Sequence, residues 1–379
     1  MTDSNTITRV LMISKACVVG IYQRKLEEIG TYPDIDLTVV VPPYWNDARG
    51  RLFLERAHTN GYQLAVEPMK FNGRFHLHYY PGLKRQIETI QPHIVHVDEE
   101  PYNLATYQAV RLAQRAGART LFFSWQNIAR QYPPPFRWLE RWVLDHVGAG
   151  IVGTQEAEGV WRQKEFAGPL TIVPQFGVDP DIFIPRSVRP EHDSFVIGYA
   201  GRLVEEKGLD TLIKAVVRLP RKWVLRLLGD GPQREYLRKL AGVHNIGGAV
   251  QVDPPIPSAE MPGWYHSIDA LVLPSRTRSN WKEQFGRVLV EAMACGIPVI
   301  GSDSGAIPEV IGPAGLIFPE GDEEVLAAHL LRLIEDSEVY TALAQAGRQR
   351  VMKHFTQAQI AARTVEVYRT LMDDEASLF

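Results

Sequence analysis

The chain has 379 residues, of which 45% are hydrophobic and 22% are charged, and its formal net charge is −3. This length predicts two domains rather than one core, and the charge gives no general attraction to nucleic acid. The two cysteines, Cys17 and Cys295, are far apart and flanked by apolar residues, which indicates a reducing compartment and argues against a disulfide framework or a zinc site.

The N-terminus, residues 1–8, is polar and lacks the apolar core of a signal peptide. No run approaches the roughly 18 apolar residues that a membrane-spanning helix requires. We therefore expect a cytoplasmic protein, and attachment to a membrane surface stays open.

The first half of the chain alternates strand and helix patterns. Strands are predicted at residues 7–13, 36–41, 62–66, 75–80, 93–97, 120–124, 150–153 and 170–173. Helices are predicted at residues 23–29, 83–90, 104–116, 137–147 and 157–166, and residues 42–61 form a polar and aromatic loop region. This alternation favours a mostly parallel sheet that is covered on both faces.

Residues 177–194 are rich in proline and charge and carry no period, which indicates a linker between domains. The alternation resumes after it, so the second half predicts another α/β domain. Its predicted strands are 195–199, 224–228, 250–252, 270–273 and 298–300. Its predicted helices are 209–217, 232–240 with proline in the first turn, 261–267, 308–311, 323–335, 339–354 and 357–372.

Residues 281–296 predict a loop that runs into an amphipathic helix and carry two glutamates eight positions apart. Glu283 lies in the loop, and Glu291 lies about 12 Å along the axis if the helix begins near residues 284–286. The N–H groups at the helix start are those of Gln284, Phe285 and Gly286. They favour a phosphate, so Glu283 on a sugar and Glu291 on a ribose would suit a nucleotide-diphosphate sugar. The alternative is a solvated helix with two surface glutamates.

A second candidate loop, residues 200–208, follows a predicted strand and precedes a helix. Gly201 permits a tight backbone approach, and Arg202 and Lys207 place two cations at the carboxyl edge of the strand. Two such cations suit a diphosphate, and the alternative is a surface loop in which Arg202 pairs with a neighbouring glutamate. Asp230 lies in a similar glycine-flanked turn and is a weaker candidate.

These two stretches resemble known motifs. Residues 281–300 resemble the E-x7-E motif of retaining glycosyltransferases, in particular family 4 of the two-domain type, and residues 201–208 are similar to that family's G-R-L-x-x-x-K-G loop. The resemblance implies two facing Rossmann-like domains of the GT-B type with an interdomain cleft, and a diphosphate bound by Arg202 and Lys207. The implied divisions are an acceptor-side domain 1–176, a linker 177–194, a nucleotide-sugar domain 195–356 and a helix 357–379 that crosses back to the first domain.

The first domain departs from the family pattern at two places. Members often have a Gly-Gly loop after the first strand, whereas Gly20 alone is the candidate here, with a plain turn glycine as the alternative. Many members also carry a cleft histidine after a middle strand, where this chain has Gln126 and Asn127 instead. Either residue is a candidate for that polar role.

Three acids, Asp98, Glu99 and Glu100, follow another predicted strand of the first domain. They are candidates for binding acceptor hydroxyls, and the alternative is a solvated helix N-terminus, where acids are favoured in any case. His76 and His78 alternate on one side of a predicted strand, but a metal site would need further ligands that we cannot identify.

The predicted function is the transfer of a sugar from a nucleotide-diphosphate sugar to a glycan, lipid or small-molecule acceptor, with retention of configuration and without a metal or cofactor. The residues assigned to catalysis are Glu283, Arg202, Lys207 and Gln126. The residues assigned to the donor are Gly20, Gly201, Arg202, Lys207, Asp230, Gln284, Phe285, Gly286 and Glu291, and those assigned to the acceptor are Asp98, Glu99, Glu100 and Asn127. An epimerase, hydrolase or phosphorylase on the same fold and a non-catalytic nucleotide-sugar-binding protein are the alternatives.

The basic and aromatic region from Arg49 to Arg85 predicts a peripheral membrane contact. It combines Lys70, Arg74, Lys84 and Arg85 with Phe71, Phe75, Tyr79 and Tyr80. Such mixtures hold lipid phosphates or membrane surfaces, and a solvated rim over a small core is the alternative.

Overall fold

The computed structural model describes residues 7–47, 50–186, 193–220 and 222–373. The chain forms two compact units, of which the first runs up to Gly177 and takes in the segment that begins at Gln357, and the second is Val178–Thr356. The N-terminal residues 1–6, Arg49 and residues 187–192 of the predicted linker lie outside the described residues.

The first unit is built on a parallel sheet. Its strands are β1 Thr8–Ile13, β2 Ile35–Val41, β3 Tyr44–Asp47, β4 Gly50–Phe53, β5 Gln63–Val66, β6 Ile94–Val97, β7 Arg119–Ser124, β8 Ala149–Val152 and β9 Leu170–Ile172. Its helices are α1 Arg24–Gly30, α2 Leu83–Ile90, α3 Leu104–Arg115, α4 Phe136–His146 and α5 Gln155–Gln163. Among the described residues the main sheet has the order β5-β2-β1-β6-β7-β8-β9, and all its neighbours are parallel. The predicted α/β class is confirmed for this unit.

The strand predicted at residues 75–80 is wrong. The segment forms turns in which the amides of Leu77 and His78 donate to the Arg74 carbonyl, and Tyr79 makes only an isolated bridge with Lys70. The alternation arises because His78 and Tyr80 are buried in the core of the unit, and no adjacent strand is needed to bury them. The antiparallel pair β3 and β4 lies in the region predicted as loop.

The second unit repeats the parallel architecture. Its strands are β10 Phe195–Ala200, β11 Trp223–Leu228, β12 Val250–Asp253, β13 Ala270–Leu273, β14 Val299–Ser302 and β15 Leu316–Phe318. Its helices are α6 Leu209–Val217, α7 Arg234–Val243, α8 Met261–His266, α9 Arg287–Ala294, α10 Ile307–Ile311, α11 Glu323–Glu335 and α12 Ser337–His354. Within the described residues the sheet order is β12-β11-β10-β13-β14-β15, again with parallel neighbours.

Helix α7 and strand β15 of the second unit differ from the sequence predictions. Helix α7 begins at Arg234, so Pro232 precedes the helix instead of lying in its first turn. Strand β15 was not predicted, because three residues are too few to carry a periodic signal.

The predicted linker packs on the second unit from Val178 to Arg186, whereas Gly177 belongs to the first unit. Val178 and Phe183 are buried in its core, and Arg348 donates to the Phe183 carbonyl at 2.6 Å. As far as Arg186 this segment is therefore part of the unit and not a free connector.

The last helix, α13 Gln357–Asp373, packs on the first unit. The Tyr368 hydroxyl lies 2.8 Å from Nδ1 of buried His96, and Arg369 holds Asp34 with two contacts of 2.8 and 2.9 Å.

In the part of the chain that the structure describes, no helix is long and apolar enough to cross a bilayer.

Candidate active site

The topology of the second unit defines where a ligand crevice would lie. The chain places β11 and β12 on one side of β10 and continues with β13 and β14 on the other side. In open parallel sheets ligands bind at the carboxyl ends of the strands, at such a reversal of strand order. The loops that follow β10 and β13 are residues 201–208 and 274–286, and they contain both candidate motifs.

Backbone hydrogen bonds join the loops at this edge. The amide of Arg276 donates to the Glu206 carbonyl at 2.8 Å, and that of Leu203 donates to the Asp230 carbonyl at 2.9 Å. The amide of Ala306, in the loop after β14, donates to the Glu283 carbonyl at 3.0 Å. The loops after four strands therefore form one connected surface in the second unit.

Lys207 and Glu283 meet at the centre of this surface. The Lys207 ammonium lies 2.5 Å from Oε2 of Glu283, and the side chains are only 13% and 10% exposed. The Ser275 hydroxyl donates to the same carboxylate oxygen at 2.8 Å, and the Trp281 ring lies beneath the ammonium, 4.8 Å from nitrogen to ring centroid. The sequence predicted a cation and a carboxylate here, and the structure brings them into direct contact.

The surroundings of Glu283 hold its backbone in place. Gly305 has a φ of +54°, and a Cβ at that position would lie 2.2 Å from the Glu283 carbonyl oxygen. Only glycine permits this approach, because it has no Cβ and tolerates the left-handed conformation. The loop after β14 therefore fixes the position of the Glu283 backbone in the site.

Arg202 is less engaged than Lys207. Its side chain is 65% exposed, and its contact with Glu206 is long, at 3.4 Å. This is the glutamate pairing that the sequence left open for this loop, and exposed pairs of this kind contribute little to stability, about 0–1 kcal/mol. Asp230 is likewise exposed and accepts from the Gly231 amide at 2.9 Å.

Glu291 lies inside α9 and is buried. Its Oε1 atom lies 2.6 Å from Nε of Arg287, and its Oε2 atom accepts from the Tyr265 hydroxyl at 2.7 Å. Burial, reinforced by the Glu291 charge, raises the pKa of Tyr265 well above its ordinary value, so this tyrosine remains a donor. Both oxygens predicted to contact a ribose are thus already bound within the protein.

The start of α9 lies a little later than the sequence predicted. Gly286 is the N-cap residue, with a φ of 75°, and Arg287 is the first helical residue. Of the three residues assigned to a phosphate, Gly286 is buried, Gln284 is exposed, and Phe285 packs edge-on against Phe355 at 5.8 Å.

In the first unit the order of strands reverses between β1 and β6, and the three acids follow β6. Glu99 is buried and binds Lys15 at 2.6 Å and His78 at 2.7 Å. Burial alone would raise the pKa of Glu99, but His78 and Lys15 outweigh it and lower the pKa to about 2. Asp98 is buried and accepts from the Ser14 hydroxyl at 2.6 Å.

Glu100 differs from its two neighbours because it keeps a partly exposed surface. Its carboxylate accepts from the Ser124 hydroxyl at 2.6 Å and from the Trp125 amide at 2.8 Å. Burial of the carboxyl raises its pKa to about 7, although these two hydrogen bonds act in the opposite direction. A carboxyl group with this pKa changes its protonation state near neutral pH.

The other predicted residues of the first unit are engaged in local structure. The Gly20 amide donates to Oε2 of Glu55 at 2.6 Å, and a Cβ at this position would lie only 2.7 Å from the Ala57 side chain. The Gln126 amide group donates to the Ile128 carbonyl at 3.0 Å, and the Asn127 amide group lies 3.4 Å from Glu156.

Sequence reasoning missed Ser275 and Trp281, both of which contact the central ion pair. Ser275 follows Pro274, the first residue after β13, and this position just beyond a strand end was the available signal. Among the described residues, no group of three or more His, Cys, Asp or Glu is arranged to hold a metal ion.

Comparisons with known proteins identify the family. Residues 181–350 match the family described as glycosyl transferases group 1, and residues 33–174 match the glycosyl transferase 4-like domain. The chain is 31% identical over 279 residues to a GDP-mannose-dependent alpha-(1-6)-phosphatidylinositol monomannoside mannosyltransferase of Mycolicibacterium smegmatis, a match that covers 68% of this chain and 72% of the relative. The chain therefore belongs to the family 4 glycosyltransferases with the GT-B fold, as its motifs predicted.

Other relatives are matched over less of their length. The chain is 33% identical over 220 residues to D-inositol 3-phosphate glycosyltransferase 1 of Catenulispora acidiphila, which covers 52% of this chain and 51% of the relative. The chain likewise spans about half of the length of several other curated relatives that it matches.

Solved structures share the fold. Sucrose-phosphate synthase of Thermosynechococcus elongatus has a TM-score of 0.73 at 22% identity, covering 96% of this chain and 99% of the other. HepE of Anabaena, solved in complex with UDP, has a TM-score of 0.72 at 16% identity, covering 96% of this chain and 100% of the other.

Proposed function

We propose that this protein is a retaining glycosyltransferase that moves a sugar from a nucleotide-diphosphate sugar to a hydroxyl acceptor. The observation that carries the proposal is the contact between Lys207 and Glu283 at 2.5 Å, at the reversal of strand order. It places a cation suited to a diphosphate beside a carboxylate suited to sugar hydroxyls. The names of the relatives and the UDP bound to HepE support this class of donor.

The direct test is turnover with acceptor. UDP- and GDP-sugars are first screened for thermal stabilisation, because a bound ligand raises apparent stability. The stabilising donor is then incubated with and without glycan, lipid and small glycoside acceptors, and transfer products are sought. Consumption of donor that no acceptor accelerates would indicate an epimerase or hydrolase, and binding without turnover would indicate a nucleotide-sugar-binding protein.

The proposed chemistry centres on the leaving diphosphate. Lys207, Arg202 and the N-terminus of α9 stabilise the negative charge that develops as the glycosidic bond breaks, so no metal ion is required. The acceptor attacks from the face that the diphosphate leaves, so the anomeric configuration is retained. A diphosphate oxygen takes the acceptor's proton. Glu283 orients the sugar and does not attack it.

Removal of either cation is expected to weaken the donor site. Lys207→Ala and Arg202→Ala should each lower kcat/KM by about 10- to 150-fold, because each removes charge-assisted hydrogen bonds to the diphosphate. Arg238→Ala, which removes an exposed cation on α7, is the matched control and should change little. Addition of EDTA should leave the rate unchanged. Full activity of both variants would remove this loop from the site, and strict dependence on a metal would contradict the charge assignment.

We assign the acceptor to the carboxyl edge of the first unit. Glu100 is partly exposed there, and Lys15 shows an exposed fraction of 16% beside Glu99. Asp98 and Glu99 then support this surface from below, because both are buried, with Oδ2 of Asp98 bound to Ser14 and Oε2 of Glu99 bound to Lys15 and His78. Gln126 and Asn127 belong to the same edge and shape it through their local hydrogen bonds.

The proposal includes a peripheral membrane contact through an aromatic surface of the first unit. Phe71 and Phe75 are each 55% exposed and lie in one loop with Lys70 and Arg74, both exposed. His76 in the same loop packs against Tyr132 and Phe136 at 5.4 and 5.1 Å, and Trp138, two positions after Phe136 in α4, is 62% exposed. Aromatic rings with cations suit the interface of an anionic bilayer.

Vesicle sedimentation tests the membrane contact. The protein should bind vesicles of phosphatidylglycerol and phosphatidylcholine at low salt, and the double variant Phe71→Ser, Phe75→Ser should lose most of this binding. Val243→Ser, which removes a 75% exposed side chain of the second unit, is the control. Absence of wild-type binding at low salt would leave a soluble acceptor as the better assignment.

A further inference from the structure

Lys207 and Glu283 form an ion pair with each other, although the proposed nucleotide sugar would contact each of them with a different chemical group. Lys207 is the cation assigned to the diphosphate, and Glu283 is the carboxylate assigned to the sugar. The contact of 2.5 Å and the low exposure of both side chains make it a largely desolvated pair. A diphosphate that draws the Lys207 ammonium towards itself therefore competes with Glu283.

The two partners differ in how firmly they are held. Glu283 is held by the Ser275 hydroxyl on its carboxylate and by the Ala306 amide on its carbonyl. Lys207 stands at the end of a short 3-10 turn, Glu205–Lys207, and its long side chain lies over the Trp281 ring. The lysine can swing towards a diphosphate by rotation of its own side chain, whereas the carboxylate stays in place.

This difference separates an intact donor from a nucleoside diphosphate. When either ligand draws Lys207 away, the buried Glu283 carboxylate loses the contact with its cation. This loss costs free energy unless another hydrogen-bond donor takes the place of the ammonium. An intact donor replaces it with sugar hydroxyls, whereas a nucleoside diphosphate has no group to offer at that position. From this we infer that the Lys207–Glu283 pair makes the site discriminate the intact nucleotide sugar from the nucleoside diphosphate product, and that its re-formation drives product release. The inference rests on the proposed function.

A titration of the diphosphate alone tests the inference. Inorganic pyrophosphate, UDP and GDP are titrated calorimetrically into the wild type and into Glu283→Gln. The variant should bind the diphosphate probes about fivefold more tightly or better, because glutamine no longer competes for Lys207. If Glu283 served only the sugar, the same variant would leave these affinities unchanged.

Glu205→Gln is the matched control. Glu205 lies on the same loop as Lys207, its side chain is 70% exposed, and its partner is Arg278, so this variant removes the same charge without freeing Lys207. Its probe affinities should stay within about twofold of the wild type, since an exposed pair is weak. Melting curves confirm that each variant is folded, and Glu283→Asp, whose carboxylate is one methylene shorter, replaces Glu283→Gln if that variant does not fold.

The outcomes separate the inference from the proposed function. Tighter binding in Glu283→Gln and not in Glu205→Gln supports the inference. Unchanged or weaker binding in Glu283→Gln, or equal tightening in both variants, overturns it and leaves the donor assignment intact. Absence of binding by any probe to any of these proteins overturns the assignment of the diphosphate to Lys207, and with it both the proposed function and the inference.

Discussion

Glu283→Gln is expected to lower kcat by about 100-fold or more, with a much smaller change in the donor KM. In the proposed mechanism the Glu283 carboxylate faces a sugar ring that flattens and gains positive charge as the bond to the diphosphate breaks. A neutral amide of the same size keeps the shape of the side chain but loses the interaction with that charge. The effect should therefore appear in the transition state and not in ground-state binding.

Steady-state kinetics with the preferred donor and acceptor measure this effect. Glu205→Gln, an exposed acid of the neighbouring loop, serves as the control and should keep nearly full activity. The Ser275 hydroxyl can still donate to the amide oxygen, so the variant should fold, but loss of the buried contact with Lys207 should lower its melting temperature. A change confined to the donor KM would mean that Glu283 contacts an unreactive part of the donor.

Glu291→Gln is expected to raise the donor KM more than it lowers kcat and to lower the melting temperature by several degrees. In the wild type the carboxylate bridges Arg287 and the buried Tyr265 hydroxyl, at 2.6 and 2.7 Å. The NH2 group of glutamine would face either Arg287 or the Tyr265 hydroxyl, and both of these groups are themselves hydrogen-bond donors. One hydrogen bond is therefore lost, and loss of a hydrogen bond to a charged group costs about 1.5–3 kcal/mol. In a domain of this size, each kcal/mol shifts the melting temperature by about 2–4 °C.

The combination of thermal melting and kinetics separates the two parts of this expectation. A lowered melting temperature with an unchanged donor KM would mean that Glu291 supports α9 and does not contact the ribose. A raised KM at an unchanged melting temperature would mean that the ribose contact dominates. If the Glu283 and Glu291 variants showed equally large losses of activity together with equally large falls in melting temperature, both acids would be structural.

Several features of the fold were predictable because they depend on local pattern. The alternation of strand and helix periods predicted two parallel sheets, and helices α2, α6 and α11 have the predicted bounds. The segment 75–80 shows the limit of this reasoning, because alternation also appears where His78 and Tyr80 are buried without a neighbouring strand.

The same distinction between local pattern and tertiary structure applies to the residues of the site. The sequence by itself determined which residue types stand at the strand ends, since the carboxyl edge of a parallel sheet follows from strand order and chain direction. Only the tertiary structure decided their partners. Lys207 and Glu283 are 76 positions apart and meet because β10 and β13 are neighbours in the sheet. The carboxylate of Glu291 is occupied by Tyr265 and Arg287, and the amide of Gly20 by Glu55. Local periods report which face of an element is buried, whereas the partner of a polar group depends on which distant loop packs against it.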